Sequence, residues 1–103
     1  MTTESNQTIA VIGAGAMGRG IVQLFAQSGH RVKFYDTSEP AVAAAHAFVT
    51  DMFDSKVDKG RISREEADKA KAQLVPCTQL GDIADCEIVI EAVLEDLEVK
   101  RGL

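Results

Sequence analysis

Thr8-Ile9-Ala10-Val11-Ile12 runs without a break into Gly13-Ala14-Gly15-Ala16-Met17-Gly18. A short apolar run with no polar alternation suits a strand buried on both faces, as in a parallel sheet. Three glycines at this spacing, directly after it, predict a sharp turn and a helix that begins inside the loop. Met17, Ile21, Leu24, Phe25 and Ser28 then recur at helical spacing, which predicts the helix's apolar face. Gly29 supplies the stop, because glycine adopts the left-handed conformation of a C-cap at little cost.

The rest of the chain repeats this grammar. Arg31 to Tyr35 reads as a second strand, with Asp36 at its carboxyl end. Ser38-Glu39-Pro40 is a helix start, a capping hydroxyl followed by an acid and a proline in the first turn. Val42, Ala45, Val49, Met52, Phe53 and Val57 make one apolar stripe behind it. Lys59-Gly60 breaks that helix, and Ser63-Arg64-Glu65-Glu66 is a capping box that opens another, with Ala67, Ala70 and Leu74 facing inward. Val75 to Thr78, interrupted by Pro76, reads as a short third strand, and Glu87 to Glu91, centred on Ile88-Val89-Ile90, as a fourth buried strand. Leu94 to Leu103 reads as the start of a further helix.

Strands alternating with helices in this order predict an α/β fold: a doubly wound parallel sheet with right-handed crossovers. About four strands are present, ordered 3-2-1-4, with a helical hairpin inserted after the second. The 103 residues are enough for one domain, and 46% hydrophobic residues support a real core.

The glycine loop carries the chemistry. Gly13 permits the tight turn, Gly15 leaves room for a diphosphate to approach the backbone, and Gly18 lets the helix pack closely. Free N–H groups at the helix start, with those of Ala14, Ala16 and Met17 in the same loop, suit phosphate oxygens, and the helix dipole adds to their pull. Asp36 is placed to accept hydrogen bonds from both hydroxyls of an adenosine ribose. Its charge would repel a 2′-phosphate, and Thr37 and Ser38 follow with no arginine to receive one. A strand before the loop, a helix after it and an acid ending the next strand together specify a Rossmann-type dinucleotide site for NAD over NADP.

The formal net charge of -5 argues against a nucleic-acid partner. Met1 to Gln7 is polar and lacks basic residues, so it reads as neither a signal nor a transit peptide. No apolar run is long enough to span a membrane. Cys77 and Cys86 lack metal-ligand spacing and read as reduced thiols, with no metal site. A soluble, cytoplasmic protein is expected.

Gly-Ala-Gly-Ala-Met-Gly-Arg-Gly-Ile (13–21), Asp36, the Lys59-Gly60 break and Val-Ile-Glu-Ala-Val-Leu-Glu-Asp-Leu-Glu-Val-Lys (89–100) together resemble the 3-hydroxyacyl-CoA dehydrogenase family. The resemblance covers nearly the whole chain and implies the N-terminal part of that family's NAD-binding domain. It implies oxidation of the 3-hydroxyl of an acyl-CoA to a ketone, with hydride passed to NAD. It also implies that Glu95, Lys100 and the backbone of Ala92 contact the nicotinamide half of the cofactor, and that Lys59 helps hold the CoA phosphate. Met52 stands where the family has a serine, with Ser55 nearby.

In the family, catalysis rests on a His–Glu pair, with a Ser and an Asn positioning the substrate oxygen. All four belong to later strands, and a helical substrate and dimerisation domain follows them. His30, in the turn after Gly29, and His46, beside the Val42–Val49 stripe, match none of these, so the chain alone is expected to be inert. With no fifth strand in view, Ile88-Val89-Ile90 is expected to form an open apolar edge and to drive self-association into a homo-oligomer. Two alternatives stay open: a hydroxyisobutyrate-type short hydroxy-acid dehydrogenase, and a non-catalytic NAD-binding or structural relative.

Overall fold

In the computed structural model, which describes residues 8–92 and the backbone of residues 97–101, the apolar run Ile9–Ile12 becomes the central strand, β1. Ile9, Ala10 and Val11 are buried from both sides, as their unalternated composition requires. The chain continues through α1 (Ala16–Gln27), β2 (Val32–Tyr35), α2 (Glu39–Asp58), α3 (Arg64–Lys71), β3 (Leu74–Cys77), a short 3-10 turn (Leu80–Ile83), β4 (Ile88–Ala92) and β5 (Leu97–Arg101). The sheet order is β3-β2-β1-β4-β5. The first four strands are parallel, in the expected 3-2-1-4 arrangement, so the fold is the Rossmann-type α/β sheet with a helical hairpin after the second strand.

Each helix stops and starts where local chemistry directs. Gly29 at φ +95 and Gly60 at φ +72 end α1 and α2 in conformations that a Cβ disfavours. The Ser38 hydroxyl accepts the Ala41 N–H at 3.3 Å at the head of α2. The capping box at Ser63 is complete: Glu66 N–H donates to Ser63 Oγ at 3.0 Å, and Ser63 N–H donates to Glu66 Oε1 at 2.8 Å. Asp54 on α2 takes both Arg64 and Lys71 of α3 at 2.8 Å each, which closes the hairpin. These pairs are substantially exposed, so they orient the hairpin more than they stabilise it.

The core lies in two layers. On one face of the sheet, Ile9, Val11, Val32, Phe34 and Ile90 pack against Val22 and Ala26 of α1, against Val42, Ala45, Val49 and Phe53 of α2, and against Ala67 and Ala70 of α3. On the other face, Ala10, Cys77, Ile83 and Cys86 form a smaller cluster under the 3-10 turn.

Three expectations are corrected. The inward face of α1 is Gly18, Val22 and Ala26, flanked by partly buried Ile21 and Phe25, whereas Met17 and Leu24 are 43% and 63% exposed. Gly18 stands on the inward face because α1 starts almost in contact with the turn before it, where a Cβ has no room, and Val22 and Ala26 continue that face one and two turns on. Second, the segment expected to begin a helix at Leu94 to Leu103 contains β5, antiparallel to β4 with Ile90 opposite Val99. Leu-Glu-Val-Lys alternates with a period of two, and β4 offers unpaired backbone groups along its edge. Ladder hydrogen bonds therefore outweigh a short, unnucleated helix. Third, and for the same reason, the edge of Ile88-Val89-Ile90 is not open: β5 occupies it, which removes the ground for self-association through that edge. Pro76 lies exposed on β3, at one margin of the sheet, where a missing N–H is tolerated.

Candidate functional site

Parallel register brings three strand ends level. Ile12 lies beside Tyr35 on one side and Glu91 on the other, so Gly13, Asp36 and Ala92 form the next row. The chain leaves β1 toward β2 on one side and returns as β4 on the other, which makes this row the switch point where open α/β sheets bind ligands.

The glycines divide into two kinds. Gly13 sits at φ +107, and a Cβ there would overlap the carbonyl oxygen of Ala92. A Cβ on Gly18 would overlap the carbonyl oxygen of Gly13. These two glycines make a close-packed knot of turn, helix and β4. Gly15 differs, because a Cβ there would meet nothing within 4 Å. Gly15, Ala16 and Met17 are all exposed, and α1 begins at Ala16 with no side chain capping it at Gly15. Among the described residues, no protein acceptor takes the N–H groups of Ala16 and Met17, so the helix presents open donors and the positive end of its dipole to an open mouth.

Asp36 borders that mouth. Its Oδ2 accepts the Ala14 N–H at 2.8 Å, and its Oδ1 accepts the Ser38 N–H at 2.8 Å. The Ser38 amide, then the Ala14 amide, holds this carboxyl below the usual carboxylate range against a smaller opposing effect of burial. The group stays ionised at neutral pH, with lone pairs left over to accept from a diol. Gly13 N–H goes to Tyr35 O at 2.8 Å. Of the loop amides, those of Gly13 and Ala14 are thus committed inside the protein. A diphosphate with a ribose diol at one end fits what remains: open amides at Gly15 to Met17, no Cβ at Gly15, and a fixed anion one strand away. The one arginine in the first turns of α1, Arg19, lies over the Phe48 ring, 4.0 Å from its centroid.

The other expected site residues fall elsewhere. Ala92 is buried at the end of β4, its carbonyl against Gly13. Glu95 lies outside the described residues. Lys100 is on β5, opposite Val89, and only its backbone is described. Lys59 is exposed at the C-cap of α2. Twenty residues of helix, about 30 Å at 1.5 Å per residue, separate it from the Ser38 end, so the fold does not bring it to the mouth. His30 follows Gly29 at the amino end of β2, edge-on to Phe25 at 5.8 Å. His46 is stacked on Phe34 at 6.3 Å. Cys77 and Cys86 are free and buried, and burial pushes both thiols up. Among the described residues there is no group of three metal-ligating side chains and no helix long and apolar enough to cross a membrane. A hollow of about 450 Å³ beside Gly29, Ile62, Glu66 and Lys69 lies at the amino end of the sheet, away from the mouth.

Three relationships had escaped the residue pattern. The Asp36–Ser38 bond is a local turn that the order Asp-Thr-Ser allows. The Asp36–Ala14 bond and the Gly13–Ala92 contact exist only once the strands are in register.

The model of the family described as "3-hydroxyacyl-CoA dehydrogenase, NAD binding domain" matches residues 8–103. The 3-hydroxyadipyl-CoA dehydrogenase of Escherichia coli (strain K12) is 39% identical over 97 residues, covering 94% of this chain and 20% of that protein. The 3-hydroxybutyryl-CoA dehydrogenase of Mycobacterium tuberculosis is 34% identical, covering 98% of this chain and 35% of that protein. Among solved structures, 3-hydroxybutyryl-CoA dehydrogenase from Escherichia coli K12 superposes with a TM-score of 0.82 at 37% identity, covering 87% of this chain and 19% of that one. The enzyme of Ralstonia eutropha, (S)-3-hydroxybutyryl-CoA dehydrogenase, gives 0.81 at 34% identity, covering 89% and 32%. The chain therefore spans between a fifth and about a third of the length of these relatives.

Proposed function

This chain belongs to the 3-hydroxyacyl-CoA dehydrogenase NAD-binding family, its cofactor is NAD, and we propose that it is the cofactor-holding part of an enzyme that oxidises the 3-hydroxyl of an acyl-CoA to a ketone. The observation that carries this reading is the pairing of open amides at Ala16 and Met17 with the ionised Asp36 beside them. Gly15 gives the diphosphate room, Gly13 and Gly18 hold the loop against Ala92, and Ala14 ties it to Asp36. The remaining lone pairs of Asp36 accept the ribose hydroxyls, each such charge-assisted bond contributing about 1.5–3 kcal/mol, and its charge repels a 2′-phosphate. Ala92, Glu95 and Lys100 serve the nicotinamide half.

Bound there, NAD supplies the hydride acceptor. The chain's own residues bind and orient it, and they do not move the substrate proton. His30 is at the wrong end of the sheet and His46 is packed on Phe34, so the chain alone binds NAD without turnover. Lys59, at the tip of the hairpin, is read as a contact to the CoA phosphate in the whole enzyme. Two free cysteines fit a reducing cytoplasm.

Calorimetric titration with NAD and with NADP tests the reading. NAD should bind at least tenfold more tightly. Preference for NADP, or NAD affinity unchanged in Asp36→Ala, would contradict the ribose assignment.

A further inference from the structure

We propose that Asp36 is a positioning residue for the phosphate-binding loop, in addition to being a ribose ligand; this rests on reading the loop as a dinucleotide site. The ground is the route by which the loop is fastened. Between β1 and the open amides lie two residues, Gly13 and Ala14. Gly13 is anchored by backbone alone, its N–H on Tyr35 O at 2.8 Å. Ala14 is anchored by a side chain, its N–H on Asp36 Oδ2 at 2.8 Å.

Ala14 is buried at 5% exposure, so its N–H has poor access to water. Without the carboxylate it has no other described acceptor, and an orphaned buried N–H is costly enough to shift the backbone that carries it. The next residue, Gly15, has no Cβ and touches nothing within 4 Å of where one would be. Downstream, α1 has no side-chain cap at Gly15, and the loop is held there by backbone, with Arg19 N–H on Gly15 O at 2.9 Å and Gly18 packed against Gly13. Ala14 is thus the point at which a side chain, rather than backbone packing, fixes the loop that leads to the Ala16 and Met17 amides. Asp36 can hold it steadily because its other oxygen is fixed by Ser38 N–H at 2.8 Å. One carboxylate thus prepares both ends of the site, the diol it meets directly and the diphosphate it meets through Ala14.

The consequence is separable from ribose binding. Replacing Asp36 should weaken a ligand that has no ribose hydroxyls at all. The test is calorimetric titration of ADP and its 2′,3′-dideoxy analogue against the protein, Asp36→Ala and Asp36→Asn, with hydrogen exchange at the Ala14 and Gly13 amides followed in parallel. Asp36→Ala should weaken the dideoxy ligand about tenfold and ADP by more, the size expected for loss of a charge-assisted bond. Asp36→Asn has one acceptor oxygen for two amides and should fall between. It carries the test should the alanine variant melt below the working temperature. Exchange at Ala14 should accelerate while exchange at Gly13 does not, a pattern that general loosening would not give. Dideoxy affinity unchanged within twofold while ADP affinity drops would overturn the positioning role and leave the ribose role standing. If neither ligand binds the unsubstituted protein, the dinucleotide reading falls, and this proposal with it.

Discussion

Gly18 lies so close to Gly13 that a Cβ on it would overlap the Gly13 carbonyl oxygen, while Gly13 in turn would clash with Ala92 if it carried one. Gly15, between them, has open space where its Cβ would be and an ordinary φ of -78. The three glycines of the loop should therefore fail differently when changed to alanine. Gly13→Ala and Gly18→Ala press a methyl into backbone and should each cost about 1–3 kcal/mol or more, with added strain of about 1–3 kcal/mol at Gly13 from its left-handed φ. Gly15→Ala should melt within about 0.5 kcal/mol of the parent and yet lose NAD affinity, because its methyl enters the mouth. Urea unfolding beside NAD titration separates the two classes. A Gly15→Ala protein with full NAD affinity would remove the diphosphate from this loop.

The depressed Asp36 carboxyl makes a pH prediction with a definite sign. Its folded pKa is below the ordinary value because the Ser38 and Ala14 amides favour the charged form. Its contribution to stability is thus complete above the ordinary carboxylate pKa. It is lost as pH falls from about 3.9, the ordinary aspartate value, through the lower folded value. Thermal melts of the protein and of Asp36→Asn should differ by a constant amount near neutrality and converge in acid. A difference that instead widened as pH fell would contradict the assigned direction.

How far the residues announced the site follows from the range of the interactions involved. The strand–glycine–helix sequence, the caps at Ser38 and Ser63 and the glycine stops are contests among neighbours, and each stands in the structure where the local pattern put it. Asp36 as an acid at a strand end was legible from its place directly after the strand read at Arg31 to Tyr35. That Ala14 is its partner was not, because the bond joins residues 22 apart and depends on β1 and β2 being in register. The inward face of α1 differs from the periodic one for a related reason: periodicity marks Met17 and Leu24 as apolar, but the close approach of turn and helix selects Gly18, and the face it sets runs on through Val22 and Ala26. At residues 97–101, apolar spacing suited either a helix or a strand, and the available edge of β4 decided it.

The corrected face of α1 can be checked directly. Leu24→Gln, at an exposed position, should change stability by no more than about 0.5 kcal/mol. Phe53→Ala removes a ring that is fully buried among α2, α3 and the sheet, and should cost about 3–5 kcal/mol. Urea midpoints with unchanged slopes would show both as native-state effects. A large loss at Leu24 would restore the stripe that periodicity suggested.

The two thiols offer a probe of the opposite layer. Cys77 and Cys86 are buried in a cluster with Ala10 and Ile83, and desolvation holds both thiols above their ordinary range. Thiolate, the reactive form, is thus scarce as well as shielded. Native protein should react with an aromatic disulfide reagent only as fast as it opens, and both thiols should react promptly in urea. Fast stoichiometric reaction without denaturant would mean that the 3-10 turn does not cover the sheet as described.

Lys59 separates the hairpin from the cofactor mouth. It is exposed at the C-cap of α2, about 30 Å of helix from Ser38 at 1.5 Å per residue, well beyond the Debye length of about 8 Å at physiological salt. Its charge therefore cannot reach a diphosphate held at Gly15 to Met17 with useful strength. Lys59→Ala should leave NAD affinity within twofold. It should lower stability by no more than about 0.3–1 kcal/mol, through the lost complement to the helix dipole. On the proposed function, the same change in a 3-hydroxyacyl-CoA dehydrogenase that carries this chain should raise KM for the acyl-CoA and not for NAD. The two readouts must diverge, because the hairpin carries the lysine away from the site that Asp36 organises; a tenfold loss of NAD affinity would place Lys59 at the mouth and undo the division of labour between loop and hairpin.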